Sequence, residues 1–183
     1  MLRPWQVLAS RRLLTIDPWL TVDCEQIRLP DGQVVDDFYA VGMPDFVVVV
    51  AAVQDGRIIG ERHYKHGPRG ITLGLPAGYL RTGEDPLEGA ARELLEETGY
   101  HSTDWRALGR FAADGNRGCG FGHLYLARDC MSITTPRSGD LEEIRIELLA
   151  LDDMITEMSA GTPQELCTAA ALGLAYREMH QHE

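Results

Sequence analysis

The sequence predicts an α/β fold: a mixed central sheet flanked by helices, preceded by an N-terminal extension of antiparallel strands, in one domain of 183 residues. Three observations carry that expectation. Phe46-Val-Val-Val-Val-Ala-Ala-Val53 is a continuous, mostly β-branched run ended by Asp55-Gly56, the pattern of a central strand buried on both faces. Residues 86–98 read as a helix with a signal at each end. The first 45 residues fall into short apolar stretches broken by turn residues, as antiparallel strands do.

In chain order, a strand over 13–16 stops at Asp17-Pro18, and one over 26–29 stops at Pro30-Asp31-Gly32. In that tripeptide Pro sets φ and Gly accepts a positive φ, so 34–41 returns as a hairpin partner. Residues 57–64 are the hairpin mate of the apolar run, followed by a loop over 65–70 containing Gly, Pro and Arg. Further strands are expected at 105–112, 123–127 and 144–151, and helices at 152–159 and 163–180. No internal repeat or long linker interrupts the chain. Residues 1–45 are therefore an extension of a single domain spanning 1–183.

Composition narrows the function classes. A formal net charge of -11 argues against a nucleic-acid polymer as partner, because affinity for a phosphate backbone comes from clustered Lys and Arg. It leaves room for a small phosphorylated ligand held by a few basic residues and a metal. Cys24, Cys119, Cys130 and Cys167 have no metal-binding spacing and read as reduced thiols. The apolar run over 46–53 is too short to span a bilayer, and the N-terminus has no sustained apolar stretch. A cytoplasmic protein with no membrane partner is expected.

The helix holds the chemistry. Asp85 is placed as N-cap, Pro86 at the first helical position and Glu88 three residues after the cap, a capping-box arrangement. Gly99 supplies a left-handed stop. At about 100° per residue, Leu87, Ala90, Ala91, Leu94 and Leu95 share a core-facing side. Glu93, Glu96 and Glu97 lie within roughly 100° of one another on the other. Stacked carboxylates repel unless something cationic lies between them, and a hard divalent cation takes carboxylate oxygens together with water and phosphate. An acidic helix face is more often simply solvated, but the flanking pattern is far from arbitrary. Gly78, Glu84, Arg92-Glu93-Leu94, Glu96-Glu97 and Gly99 stand at fixed spacings that chance would supply about once in 10⁹ windows at ~5–7% per residue type.

That segment, Gly78 to Tyr100, resembles the Nudix box, with Tyr100 where the family more often has an aliphatic residue. The resemblance implies the family's α/β/α sandwich and Mg²⁺-dependent hydrolysis of a diphosphate linkage by water, with Mn²⁺ as a substitute ion. Carried over residue by residue, Glu93 and Glu97 become the principal metal ligands. Glu96 shares a metal or orients water, Glu84 is more peripheral, and the Ala77 carbonyl is a further ligand. Arg92 orients the carboxylates through its fork of donors. A general base is expected from the stretch before the strand at 144–151: Glu142 first, Glu143 second, Asp140 third.

Leu75-Pro76-Ala77-Gly78 before the box, the N-terminal strands and the basic stretch Arg62-His-Tyr-Lys-His66 resemble the ADP-ribose and nucleoside-diphosphate-sugar branch. The implied products are a nucleoside monophosphate and a sugar phosphate. The implied partners are such a nucleoside-diphosphate-linked molecule and, through 1–45, a second copy of the chain in a homodimer. Arg62 and Lys65 are candidate phosphate contacts. Three departures stand out: Lys65 where Arg is usual, Gly74 where Glu is frequent, and a Gly-rich stretch over 114–122 where a Pro is common. Asn116 and Arg117 in that stretch are further substrate-binding candidates. Trp19, Phe38 and Tyr39 are candidates for stacking a base or packing a dimer. His63, His66, His101 and His123 lack metal spacing and read as structural or surface residues. The alternatives are a house-cleaning nucleoside triphosphate pyrophosphohydrolase and a non-catalytic nucleotide sensor, the latter disfavoured because all the box carboxylates are present.

Overall fold

The structure is a computed structural model that describes residues 2–137, 143–160 and 164–180. The chain divides into two compact units, one formed by residues up to Asp45 together with Phe111–Phe121, the other by Phe46–Arg110 and the residues from Gly122 onward. The expected N-terminal extension is thus a unit of its own that also recruits a later segment.

In the first unit, β1 (Gln6–Ile16), β2 (Leu20–Arg28) and β3 (Val34–Gly42) form an antiparallel meander. The turn after β2 forms where its chemistry placed it. Leu29 bonds both Gln33 and Gly32 through its backbone, Asp31 caps the Gln33 N–H at 2.9 Å, and Gly32 takes φ 95°. β1 is exposed along almost its whole length. Phe38 packs edge-to-face on Trp5 with centroids 5.7 Å apart.

The second unit opens with β4 (Phe46–Val53), β5 (Ile58–Lys65), β6 (Gly70–Gly74) and β7 (Ala77–Tyr79). Then come α1 (Pro86–Glu93), a π-helical turn at Leu94–Thr98, β8 (Tyr100–His101), β9 (Asp104–Asp114) and β10 (Gly118–Ser132), the end of β9 and the start of β10 belonging to the first unit. β11 (Arg145–Leu149), α2 (Leu151–Met158) and α3 (Leu166–His180) complete it. β4 runs parallel to β10 and antiparallel to β7, and β5 pairs antiparallel with β4, β6 and β11. The sheet is mixed.

Helices cover both faces of β4, which is why its side chains need no polar alternation. Val48 and Val50 pack in a core with Met154 of α2 and Ala171, Leu172 and Ala175 of α3. Val47, Val49 and Ala51 pack with Ala90 and Leu94 of the acidic helix. Each Val, Leu or Met side chain so buried contributes roughly 1.5–3 kcal/mol, and each Ala less. This is the expected α/β/α layering.

Two local expectations change. Leu87, expected on the core face of the helix, is 39% exposed, because burial in the helix begins two residues later, at Gly89 and Ala90. The Gly-rich stretch over 114–122 is a loop only at its start, since 118–122 belong to the long strand β10. Gly118 pairs with Val41, and Gly120 at φ 78° lies so close to the chain at 44 that a Cβ would stand 2.6 Å from the Pro44 carbonyl oxygen. Glycine here permits close backbone approach rather than a flexible loop.

Candidate active site

The acidic helix starts as its sequence dictates. Asp85 adopts an extended backbone and its side chain accepts from the Leu87 and Glu88 N–H groups at 2.9 and 3.3 Å. Its last turn widens to π geometry over Leu94–Thr98, a local change often found at functional positions. Gly99 then closes it at φ 75°, with room for no side chain: a Cβ would lie 2.1 Å from the Thr134 carbonyl oxygen.

Arg92, only 16% exposed at its side chain, is the hub. Its Nε and Nη2 grip both oxygens of Glu84 at 2.7 and 2.9 Å. Its Nη1 donates to Glu93 at 2.6 Å and to Glu96 at 3.1 Å, and Nη2 also reaches the Tyr79 carbonyl at 3.3 Å. A planar fork of donors suits such work, and a point charge does not. The pairing holds the Glu84 carboxyl at about 2, far below its ordinary value, chiefly through the Arg92 hydrogen bonds. The same partners, Glu84 first, raise the Arg92 guanidinium further above its usual range.

Glu97 is held separately, its Oε2 accepting from the Ala77 N–H at 2.8 Å. Register explains how the two meet: β7 lies along β4 with Ala77 opposite Val48 and Gly78 opposite Val47, the residue that packs in one core with Ala90 and Leu94 of the acidic helix. Gly78 is the fit between them. A Cβ there would stand 2.1 Å from Glu93 Oε1, so the carboxylate occupies the space that a side chain would need. Glu93 and Glu97 are both buried, and Glu96 is 37% exposed at its side chain.

Four carboxylates, three of them bonded to one largely buried guanidinium and the fourth to a backbone N–H, leave a surplus of negative charge in a poorly solvated place. Hard oxygen donors in that ratio fit a hard divalent cation, and the donor set holds no thiol or imidazole that would favour a softer one. Among the described residues no three such groups already close on a common point. Arg92 stands between Glu84, Glu93 and Glu96 and acts as their counter-ion.

The other candidates are distributed. Arg62 is committed to an ion cluster on β11 and α2: it donates to both oxygens of Glu147 at 3.3 and 2.9 Å and grips Glu157 through Nη1 and Nη2. Strand alternation places it on the face opposite Glu61 and His63. Lys65 ends β5 half-buried. Asn116 and Arg117 belong to the first unit, where both backbone N–H groups bond Asp114 Oδ1 and the Arg117 side chain reaches the Tyr39 carbonyl. Glu143 is exposed, while Asp140 and Glu142 lie outside the described residues. Of the aromatic candidates in the first unit, Trp19 and Tyr39 are exposed and Phe38 packs on Trp5.

His63, expected as a structural or surface residue, is almost wholly buried, and so are Glu61 and Thr72, which the sequence does not single out. His63 fills the place left by Gly74, where a Cβ would stand 2.8 Å from Nε2, which accounts for a glycine at that position. Strand alternation of Ile59, Glu61 and His63 was the available signal. Arg81, an arginine inside the acidic box, carries no sequence signal that marks it. Its Nη2 lies 3.4 Å from Glu96 Oε1.

Residues 5–41 match the nucleoside diphosphate sugar hydrolase N-terminal domain. The chain is 27% identical over 149 residues to an ADP-ribose pyrophosphatase of Bacillus subtilis, covering 81% of this chain and 80% of the relative. It is 34% identical over 104 residues to a methanol dehydrogenase activator of Bacillus methanolicus (57% and 56% covered). It is 32% identical over 120 residues to a CMP-5'-(N-acetyl-N-hydroxy-3-aminopropyl)phosphonate hydrolase of Streptomyces rubellomurinus (64% and 57% covered). The chain therefore spans little more than half the length of the last two. The crystal structure of an ADP compounds hydrolase superposes with a TM-score of 0.82 at 21% identity, covering 100% of this chain and 97% of that one, a likeness of fold. A NUDIX domain model takes in residues 43–167, every box carboxylate included, and the chain belongs to the Nudix hydrolase family.

Proposed function

We propose that this protein hydrolyses the diphosphate linkage of a nucleoside diphosphate joined to a sugar, ADP-ribose among the candidates, releasing a nucleoside monophosphate and a sugar phosphate. The observation that carries the reading is the gathering of Glu84, Glu93 and Glu96 on Arg92 with Glu97 on the Ala77 N–H. The match of 5–41 to a nucleoside diphosphate sugar hydrolase module supports the substrate class.

Glu93, Glu96 and Glu97 would hold Mg²⁺, or Mn²⁺ in its place, with Glu84 and the Ala77 carbonyl as further oxygens. When bound, such a cation neutralises phosphate oxygens and makes water a better nucleophile. Arg92 keeps the carboxylates in position, so that little reorganisation is needed when substrate arrives. Gly78 leaves Glu93 its space. An acid of 140–143, Glu142 first, takes the proton of the attacking water, and Lys65 faces the phosphates. Arg62, already committed to Glu147 and Glu157, is read as a brace. Trp5, Val7, Leu13, Leu14 and Ile16 are 42–55% exposed on the first unit, which supports a homodimer through it. A monomer by light scattering at working concentration would remove that assignment.

The deciding experiment is a substrate panel with Mg²⁺ and with Mn²⁺, products identified by ³¹P NMR. ADP-ribose or UDP-, GDP- or ADP-sugars should turn over, and a Glu142→Gln variant should slow them. Turnover of dNTPs alone would replace this reading with a nucleoside triphosphate pyrophosphohydrolase.

A further inference from the structure

The site contains two arginines, and they are held in opposite ways. Arg92 is 16% exposed at its side chain and spends its donors on three carboxylates and a carbonyl. Nothing of it remains to meet a ligand. Arg81 is 68% exposed, and among the described residues its one side-chain partner is Glu96 Oε1 at 3.4 Å.

The base of Arg81 is nevertheless rigid. Its N–H donates to Glu84 Oε2 at 2.9 Å and its carbonyl accepts from the Glu84 N–H at 3.0 Å. Gly83 at φ 78° makes that turn possible, and Glu84 is itself clamped by Arg92. An exposed cationic side chain is thus anchored on a hydrogen-bonded turn beside the carboxylates.

Its partner is the least buried of the four acids, and Glu96 Oε2 already accepts from Arg92. An exposed ion pair at that distance is worth about 0–1 kcal/mol, so releasing it costs little. A diphosphate offers the guanidinium a bidentate, doubly charged partner that one oxygen of a shared carboxylate does not. Four carboxylates also repel an anionic substrate, and an exposed cation at the rim, beside any metal they hold, lowers that repulsion.

We propose that Arg81 is a substrate-binding residue that exchanges Glu96 for the diphosphate of the substrate once Glu96 serves the cation. The inference rests on the diphosphate substrate proposed above and names a residue for it.

The test measures binding of methylenediphosphonate, a non-hydrolysable diphosphate, with Mg²⁺ to the wild type, Arg81→Ala and Arg81→Lys. Alongside it go Mn²⁺ binding without ligand and steady-state kinetics on ADP-ribose. Arg81→Ala should weaken methylenediphosphonate binding about tenfold and raise KM in step, kcat staying within about twofold, while Arg81→Lys recovers part of the loss through its charge. Mn²⁺ should bind Arg81→Ala at least as tightly as wild type, since a competitor for Glu96 has gone. Unchanged methylenediphosphonate binding would overturn the proposal, and so would a parallel loss of Mn²⁺ affinity, which would make Arg81 an organiser of the carboxylates. If the wild type binds methylenediphosphonate but cleaves no nucleoside-diphosphate sugar, the substrate reading falls and the variant ratio still decides Arg81.

Discussion

Arg62 and Arg92 each gather glutamates around one guanidinium, and both lie in the second unit, yet the two clusters differ in charge and in origin. Around Arg62 stand Glu147 and Glu157, with Arg145 also bonding Glu147 at 3.0 Å, two positive charges against two negative. Around Arg92 and Arg81 stand Glu84, Glu93, Glu96 and, held apart on the Ala77 N–H, Glu97, two against four. A balanced cluster is satisfied as it stands and braces β5, β11 and α2. An unbalanced one, half-buried, leaves a demand for positive charge that a divalent cation can meet. Counting arginine contacts would not separate them; the residual charge does.

The contrast breaks most visibly at Glu97. Glu97→Gln keeps an oxygen for the Ala77 N–H but removes a charge, and kcat/KM should fall at least about 100-fold, with little change in melting temperature. Unchanged turnover in steady-state assays would show that the surplus charge has no catalytic use. Gly78→Ala tests the same cluster by shape: the new methyl must displace Glu93, and activity should drop about 10–100-fold, together with weaker Mn²⁺ binding by titration. Wild-type affinity would mean that Glu93 has another place to go. The smallest effect is expected at the balanced cluster. Arg62→Met should lower stability by about 1–2 kcal/mol in urea denaturation, less than for a fully buried pair because the guanidinium keeps some solvent. A rise in KM without loss of stability would instead return Arg62 to the phosphates.

The same contrast explains what could be read in advance. The Arg92 cluster draws its acids from positions 84, 93 and 96, all within one turn-and-helix segment whose caps and period place them together. The Arg62 cluster joins residues 85 and 95 positions apart, and no local rule brings them close. A basic strand end therefore suggested a phosphate contact where the fold supplies two glutamates. Gly74 looked like a missing acid and is the space His63 needs. Gly118, Gly120 and Gly122 looked like a loop, because glycine is common in both loops and strands that must approach another chain closely.

Sequence alone determined the strands and helices with strong local signals: the apolar run of β4, the Pro30-Asp31-Gly32 turn, the caps at Asp85 and Gly99, and the spacing of the box. These depend on dihedral preference and periodicity, which a few neighbouring residues settle. The tertiary structure decided which arginine is spent and which remains at the rim, why Gly78 admits no side chain, and that residues 111–121 join the N-terminal strands. Those outcomes follow from the register of strands distant in sequence, where a carboxylate's partner is whatever the sheet brings beside it.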